Sequence, residues 1–231
     1  MRTACLQIGL TTLALLGAGC AGTARHDAAP VLRIYVARHG QTDWNLERRL
    51  QGWTDTHLND TGRKQAQLLA ERMQGVPLVH VYSSPLSRSR ETAEIVHAPA
   101  PLESLDGLRE QRLGKFEGLR LNADSLGAQE FQRRSQDPDD ALDGGESENQ
   151  FLARVAATIQ SVVARHRAGG TILIVGHGGT NQMILRTLMG LTRDQGEAVK
   201  QANDELYLIE IAPGQPPRLW KAIGTGNLAD L

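Results

Sequence analysis

Three segments of the sequence carry basic side chains, two of them beside glycines, a pattern that suits the binding of an anion. Arg38 and His39 precede a glycine, Arg88 follows a Ser-Ser-Pro-Leu-Ser run, and His177 lies in the Gly-His-Gly-Gly run of residues 176–179. Arginine holds oxyanions through planar, multi-donor hydrogen bonds, and glycine lets backbone N–H groups approach them closely. Neutral imidazole is a competent nucleophile. These residue types suit metal-free transfer of a phosphoryl group, because the arginines stabilise its transition-state charge.

Each of the three segments directly follows a predicted strand. The strands are short, apolar and rich in β-branched residues, over residues 31–37, 78–82 and 171–175. Apolar periodicity predicts helices over residues 59–73, 87–97, 147–167 and 180–189, and late strands over residues 206–211 and 218–223. This alternation predicts an α/β domain, a three-layer α/β/α sandwich with a mostly parallel central sheet. Ligands bind beyond the carboxyl ends of such strands, so we expect the basic segments to meet in one pocket.

The first twenty residues have the pattern of an export signal. Arg2 is followed by an apolar run over residues 6–16, by small residues, and by Cys20 in a Leu-Leu-Gly-Ala-Gly-Cys sequence. That ending resembles a bacterial lipobox, which implies lipidation of Cys20 and a membrane anchor on the periplasmic side. Plain secretion and an uncleaved anchor are the alternatives. The predicted boundaries are a signal peptide over residues 1–19, a lipidated cysteine and tether over residues 20–31, and one domain over residues 32–231.

Composition excludes several classes of function. The net charge is -1 and aromatic residues make up 4%, which argues against a nucleic-acid-binding protein. Both cysteines, Cys5 and Cys20, precede the domain, so the domain has neither a disulfide framework nor a cysteine-based zinc site. The expected partner is a small phosphorylated substrate.

Five sequence blocks in order carry a family resemblance. They are RHG with TDWN close behind, RRLQGWTDTHLNDTG, SSPLSRSRETA, LREQRLGKFEG and GHGG. Together they resemble the histidine phosphatase superfamily, and in particular the branch of cofactor-dependent phosphoglycerate mutases and their phosphatase relatives. The resemblance runs from about residue 32 to residue 190 and implies a metal-free enzyme that needs no cofactor.

The resemblance implies three catalytic residues. His39 would be the nucleophile that becomes phosphohistidine, His177 would stabilise the transferring group, and Glu110 would be the general acid. Covalent transfer needs an acid that protonates the leaving alkoxide and then accepts a proton from water. Glu117 is the rival for this role, because spacing alone does not separate the two glutamates.

The same resemblance implies the residues that bind the substrate. Arg38 and Arg88 would hold the phosphoryl oxygens, Asn45 would line the phosphate pocket, and the backbone N–H of Gly178 would contribute. Candidate contacts to the leaving group are Arg112, Lys115 and Arg120. Residues 133–146 are charged and rich in turn residues, which fits either a solvated loop or a lid on the substrate side.

These observations predict a metal-independent phosphomonoesterase that works through phosphohistidine and is exported, with a lipid anchor expected. The segment after Glu110 is short, as in the phosphatase relatives rather than the true mutases. A phosphoglycerate mutase-like phosphotransferase is the first alternative. A non-catalytic envelope protein that binds a phosphorylated ligand is the second.

Overall fold

The computed structural model describes residues 30–97, 99–122 and 125–222, and they form one α/β domain. The strands are β1 (Leu32–Arg38), β2 (Leu78–Ser83), β3 (Leu102–Ser104), β4 (Gly170–Gly176), β5 (Leu206–Ile211) and β6 (Arg218–Ala222). The helices are α1 (Asp43–Leu46), α2 (Asp60–Arg72), α3 (Ser87–Val96), α4 (Leu126–Arg134), α5 (Glu148–Arg165), α6 (Gly178–Met189) and α7 (Arg193–Ala198).

The strands form one sheet in the order β3-β2-β4-β1-β5-β6. The first four strands in this order are parallel neighbours, whereas β5 is antiparallel to β1 and β6 is antiparallel to β5. The prediction of a mostly parallel sheet is therefore confirmed. The central strands β1 and β4 are covered on both faces, and this explains why their sequences are almost continuously apolar.

Helices cover both faces of the sheet and complete the three layers. On one face, α5 and α6 pack against alternate residues of β1 and β4, including Ile34, Val36, Ile172 and Ile174. On the other face, α3 and the end of α2 pack against the intervening strand residues. Side chains of successive strand residues point to opposite faces, so every buried apolar side chain of β1 and β4 contributes to one of the two cores.

The strand register brings the three basic segments to one edge of the sheet. Arg38 at the end of β1 pairs with Gly176 at the end of β4. Ser83 at the end of β2 pairs with Val175 of β4. Because these three neighbouring strands are parallel, the residues that follow each of them emerge side by side. This register therefore explains why the three segments meet at the pocket that was predicted from the strand ends.

Two of the predicted helices begin directly after the capping residues that the sequence indicated. Asn59 accepts a hydrogen bond from Gly62 N at the start of α2, and Ser147 forms a capping box with Gln150 at the start of α5. Helix α6 begins at Gly178, two residues earlier than predicted. Its first turn is therefore made from the Gly-His-Gly-Gly run itself.

Several elements were missed because their sequences carry little periodicity. Strand β3 has three residues, and α1, α4 and α7 have 4, 9 and 6 residues. Helix α4 and the turn after it form an ordered unit, in which Arg134 pairs with Asp140 and Asp143. Leu142 in that turn is buried. Residues 133–146, predicted to form either a solvated loop or a lid on the substrate side, are thus held in place by ion pairs and a buried leucine.

Some sequence predictions lie outside the described residues. These are the signal peptide, Cys20, most of the tether, and Ile223 at the end of the last predicted strand. No helix within the described ranges is long and apolar enough to cross a membrane.

Candidate active site

The two histidines of the basic segments lie next to each other. His39 follows β1 and His177 follows β4, and their ring centroids are 5.1 Å apart with the planes tilted by 58°. His39 N donates to Gly176 O at 3.0 Å, which extends the pairing of β1 and β4 by one residue. Both side chains are almost fully buried. The register of two central strands therefore determines the distance between the two imidazoles.

The protonation state of His39 follows from its hydrogen bond. Its Nδ1 lies 2.8 Å from Gly40 O, and a carbonyl oxygen only accepts, so Nδ1 carries the proton. Burial, together with the nearby charges of Arg88 and Arg38, holds the pKa of His39 well below its usual value. The ring is neutral at pH 7, and Nε2 carries a lone pair. This is the protonation state that a nucleophilic histidine requires.

Arg88 is buried against main-chain carbonyls rather than against a carboxylate. Its Nη1 donates to Thr54 O at 3.0 Å and its Nη2 donates to Gly52 O at 2.8 Å. The side chain is 1% exposed, and burial lowers its pKa to about 10, so it keeps its charge at neutral pH. The turn that supplies these carbonyls belongs to a block of the family resemblance, although no sequence pattern predicts this contact.

Arg38 is oriented in a similar way from the other side of the site. Its Nη1 donates to Gln201 O at 2.8 Å, and burial lowers its pKa. Gly178 lies beside this guanidinium, and a Cβ at that position would be in ordinary van der Waals contact with Arg38 Cζ, at 3.6 Å. Gln201 was missed by the sequence analysis, since it is 163 residues from Arg38 and belongs to no motif.

Four buried nitrogen atoms around His39 have no hydrogen-bond partner within the described part of the chain. They are Nε of Arg38, Nε of Arg88, and both ring nitrogens of His177. A buried donor without an acceptor costs roughly 1–3 kcal/mol, so such groups rarely collect in one place without a ligand. Burial and the nearby Arg88 lower the pKa of His177, so its neutral ring adds one further donor. The arrangement is complementary to a compact oxyanion.

Glu110 lies at the start of α6, beside this anion site. Its carboxylate accepts from Gly179 N and Thr180 N, both at 3.1 Å, where the helix dipole favours a negative charge. Its carbonyl oxygen accepts from Trp53 Nε1 at 2.7 Å and from Arg154 Nη2 at 3.3 Å. Gly179 is required here, because a Cβ at that position would collide with the Glu110 carboxylate.

Asn45 also lies at the site, but its side chain is partly engaged in α1. Thr42 and Asn45 form a capping box in which Asn45 Oδ1 accepts from Thr42 N at 3.0 Å. The amide nitrogen of Asn45 has no partner among the described residues. This bond fixes the amide and leaves its NH2 group available for a phosphoryl oxygen.

The site opens into a cavity of about 340 Å³. Its lining includes Arg38, His39, Asn45, Arg88 and Glu110. His177 is not among the lining residues, and its ring lies against that of His39. In the described ranges, no group of three or more His, Cys, Asp or Glu side chains is arranged to hold a metal ion.

The three expected leaving-group contacts do not line the cavity. Lys115 pairs with Glu130 and Asp143, and Arg120 pairs with Glu47. Arg112 stacks over Trp53, with its guanidinium carbon 5.6 Å from the ring centroid. These predictions were wrong, because basic residues close in sequence to Glu110 found acidic or aromatic partners nearer to them than the cavity.

Comparison with known proteins agrees with this geometry. The family model for the histidine phosphatase superfamily (branch 1) matches residues 34–221. The chain belongs to the histidine phosphatase superfamily.

Relatives within the superfamily are named both as mutase-like proteins and as phosphatases. Phosphoglycerate mutase-like protein 4 of Arabidopsis thaliana is 38% identical over 175 residues, which cover 73% of this chain and 74% of that protein. The alpha-ribazole phosphatase of Shigella flexneri is 25% identical with a TM-score of 0.69, covering 79% of this chain and 92% of that one. A mycobacterial glucosyl-3-phosphoglycerate phosphatase solved with VO3 is 27% identical with a TM-score of 0.71, covering 85% and 100%.

Sequence spacing did not decide which of two glutamates is the candidate general acid, and their positions in this member of the histidine phosphatase superfamily differ. Glu110 lines the cavity, whereas Glu117 does not. Glu117 Oε1 accepts from Trp53 N at 2.9 Å and Leu113 N at 3.2 Å, and Oε2 accepts from the Thr54 hydroxyl at 2.7 Å. Glu117 therefore holds the turn whose carbonyls orient Arg88, which makes it a positioning residue.

Substitution of Glu117 tests this assignment. In Glu117→Gln, the amide oxygen still accepts from both backbone donors, and the NH2 group donates to Thr54, so we expect kcat near the wild-type value. In Glu117→Ala the turn loses all three bonds, and we expect kcat/KM to fall about tenfold, mainly through KM.

Steady-state kinetics on p-nitrophenyl phosphate and on an alkyl phosphate, together with inhibition by inorganic phosphate, measures both effects. Thermal unfolding of each variant controls for loss of the fold. If Glu117→Gln lost activity mainly on esters with poor leaving groups, Glu117 would be the general acid.

Proposed function

We propose that this enzyme hydrolyses phosphomonoesters through a phosphohistidine intermediate on His39, without a metal ion. The observation that carries the proposal is the group of four buried, unpartnered nitrogens of Arg38, Arg88 and His177 beside a neutral His39. A phosphoryl group presents several oxygens to such donors, and its transition-state charge spreads over them. The phosphatases among the structural relatives favour the same activity.

In the first step, His39 Nε2 attacks phosphorus and the bond from phosphorus to the ester oxygen breaks. The Nδ1 hydrogen bond to Gly40 O stabilises the positive charge that develops on the ring. Glu110 in its protonated form gives its proton to the leaving alkoxide, which departs as the alcohol.

In the second step, water attacks the phosphorus of phosphohistidine. Glu110, now ionised, takes one proton from the water as the new P–O bond forms and the N–P bond breaks. His39 regains its neutral state and phosphate is released. Together, the two steps convert one ester and one water into one alcohol and one phosphate.

A phosphoglycerate mutase-like phosphotransferase is the second candidate, favoured by the name of the Arabidopsis relative. It would return the phosphoryl group from His39 to an acceptor instead of to water. The short segment between Glu110 and Glu117 supports the phosphatase instead, because it leaves little chain for binding a second substrate group. A purely ligand-binding protein would not need a general acid placed beside the nucleophile.

The first test compares the full-length protein with His39→Ala, both purified in detergent and assayed on p-nitrophenyl phosphate with excess EDTA. We expect wild-type turnover that resists EDTA and a loss of at least a thousandfold in the variant. Acid quench after incubation with ³²P-labelled substrate should label the wild type on histidine, and the label should then pass to water. Activity that survived in His39→Ala would contradict the proposal, and transfer of the label only to an acceptor would favour the mutase.

The role of Glu110 predicts a dependence on the leaving group. Glu110→Gln should slow alkyl phosphates by about a hundredfold or more and should slow p-nitrophenyl phosphate far less, because the nitrophenolate needs no proton. Gln keeps one oxygen for Thr180 N and Gln111 N and loses only the bond from Gly179 N, so we expect the fold to survive. Equal slowing of both kinds of ester would remove Glu110 from the acid role.

We also propose, on sequence grounds, that the enzyme is exported and anchored through lipid on Cys20. In a bacterial host the Cys20→Ser variant should move from the membrane fraction to the soluble periplasm, and it should no longer incorporate labelled palmitate. Full EDTA-resistant activity should remain, since the domain begins after the tether. Palmitate labelling that persisted in the variant would contradict lipidation at this cysteine.

A further inference from the structure

The cavity has two parts with different chemistry. Its inner part is the cationic site around His39. Its outer part is an apolar wall of five side chains from separate segments: Trp44, Leu50, Leu113, Leu121 and Phe131. Phe131 packs against Phe116 with ring centroids 5.3 Å apart, and so α4 is fixed to the wall by a buried contact. A leaving group that extends from His39 into the outer part would lie against this wall.

The polar side chains near the wall are largely engaged with the protein. Gln51 Oε1 accepts from the hydroxyls of Thr42 and Thr56. Gln111 donates to Glu146 O, and Arg49 donates to Glu47 and to Gly118 O. A sugar or polyol would find few uncommitted polar partners here, and its hydroxyls would lose water without full replacement.

Arg48 is different from these neighbours. It lines the cavity, it is exposed, and its side chain has no hydrogen bond or ion pair within the described ranges. Its backbone is in the left-handed region, with φ of 56°, which is uncommon for a residue other than glycine. Arg48 O accepts from Leu121 N at 2.9 Å, which ties this cation to the apolar wall.

We infer that the preferred substrate is a phosphomonoester with an amphiphilic leaving group, whose apolar body contacts the apolar wall and whose second anionic group binds Arg48. The inference rests on the proposed hydrolysis at His39 and adds the class of leaving group. A carboxylate or a second phosphate has the chemistry that a free guanidinium recognises. An apolar body removes the apolar wall from water, which favours binding in proportion to the area covered.

Four esters with primary alkoxide leaving groups test both parts of the inference. Pentyl phosphate and 5-(phosphonooxy)pentanoate have an apolar body without and with a carboxylate, and glycerol 3-phosphate and 3-phosphoglycerate have a polar body without and with one. Since the leaving groups have similar basicity, differences in kcat/KM report binding of the leaving group. At roughly fourfold per fully buried CH2, partial burial predicts about a tenfold preference for the apolar body. An exposed ion pair predicts about a threefold preference for the carboxylate.

Matched variants assign each preference to its residue in the full-length protein. Leu121→Ala should reduce the preference for the apolar body about threefold, whereas Leu126→Ala, at an exposed leucine outside the cavity, should not. Arg48→Gln should abolish the preference for the carboxylate on the pentyl body. Arg120→Gln, at an exposed arginine outside the cavity, should retain it.

The outcomes separate this inference from the proposed function. Equal kcat/KM for all four esters, or a preference for the glycerol-based pair, would overturn the inference. The proposed function would still stand if p-nitrophenyl phosphate were hydrolysed. Equal effects of each variant and its control would overturn the assignment to Leu121 and Arg48. Failure to hydrolyse any ester, p-nitrophenyl phosphate included, would overturn the proposed function and this inference together.

Discussion

Two arginines buried without a carboxylate partner impose the constraint on which the site depends. Arg38 and Arg88 are held by main-chain carbonyls, which orient the guanidinium groups but do not neutralise them. A paired carboxylate would offset more of the burial cost, yet it would also compete with an anionic substrate. The protein therefore keeps net positive charge in a buried place, and a bound oxyanion is the group that can balance it.

The same charge determines the chemistry of the histidines. Burial lowers the pKa of both His39 and His177, and the neighbouring positive groups lower it further because they disfavour the imidazolium. A neutral His39 has the lone pair that attack on phosphorus requires. Binding of a phosphoryl dianion adds opposite charge, which stabilises the imidazolium-like ring that forms on attack. One arrangement of charge thus serves the resting nucleophile and its product.

The sequence predicts the parts of the site that lie on regular elements and misses those that depend on distant contacts. His39 and His177 were placed together because two apolar runs predict adjacent parallel strands. The caps at Asn59 and Ser147 could likewise be predicted, because capping is local. Gln201 and Arg48 could not, since the first acts over a long sequence separation and the second depends on an unusual backbone angle. Lys115 is the opposite case, because its position in the sequence predicted a substrate contact, whereas its side chain pairs with nearby carboxylates.

The division of the cavity explains how catalysis and specificity can be separated in this fold. The inner site is built from residues at or shortly after the carboxyl ends of β1, β2 and β4, so its geometry is fixed by the sheet register. The apolar wall comes from α1, α4 and the loops that carry Leu50, Leu113 and Leu121. None of these segments belongs to the sheet. Substitution there changes contacts to the leaving group and leaves the spacing of His39 and His177 intact. Such a division would produce relatives that are named for different activities, because the same phosphoryl site can serve different leaving groups.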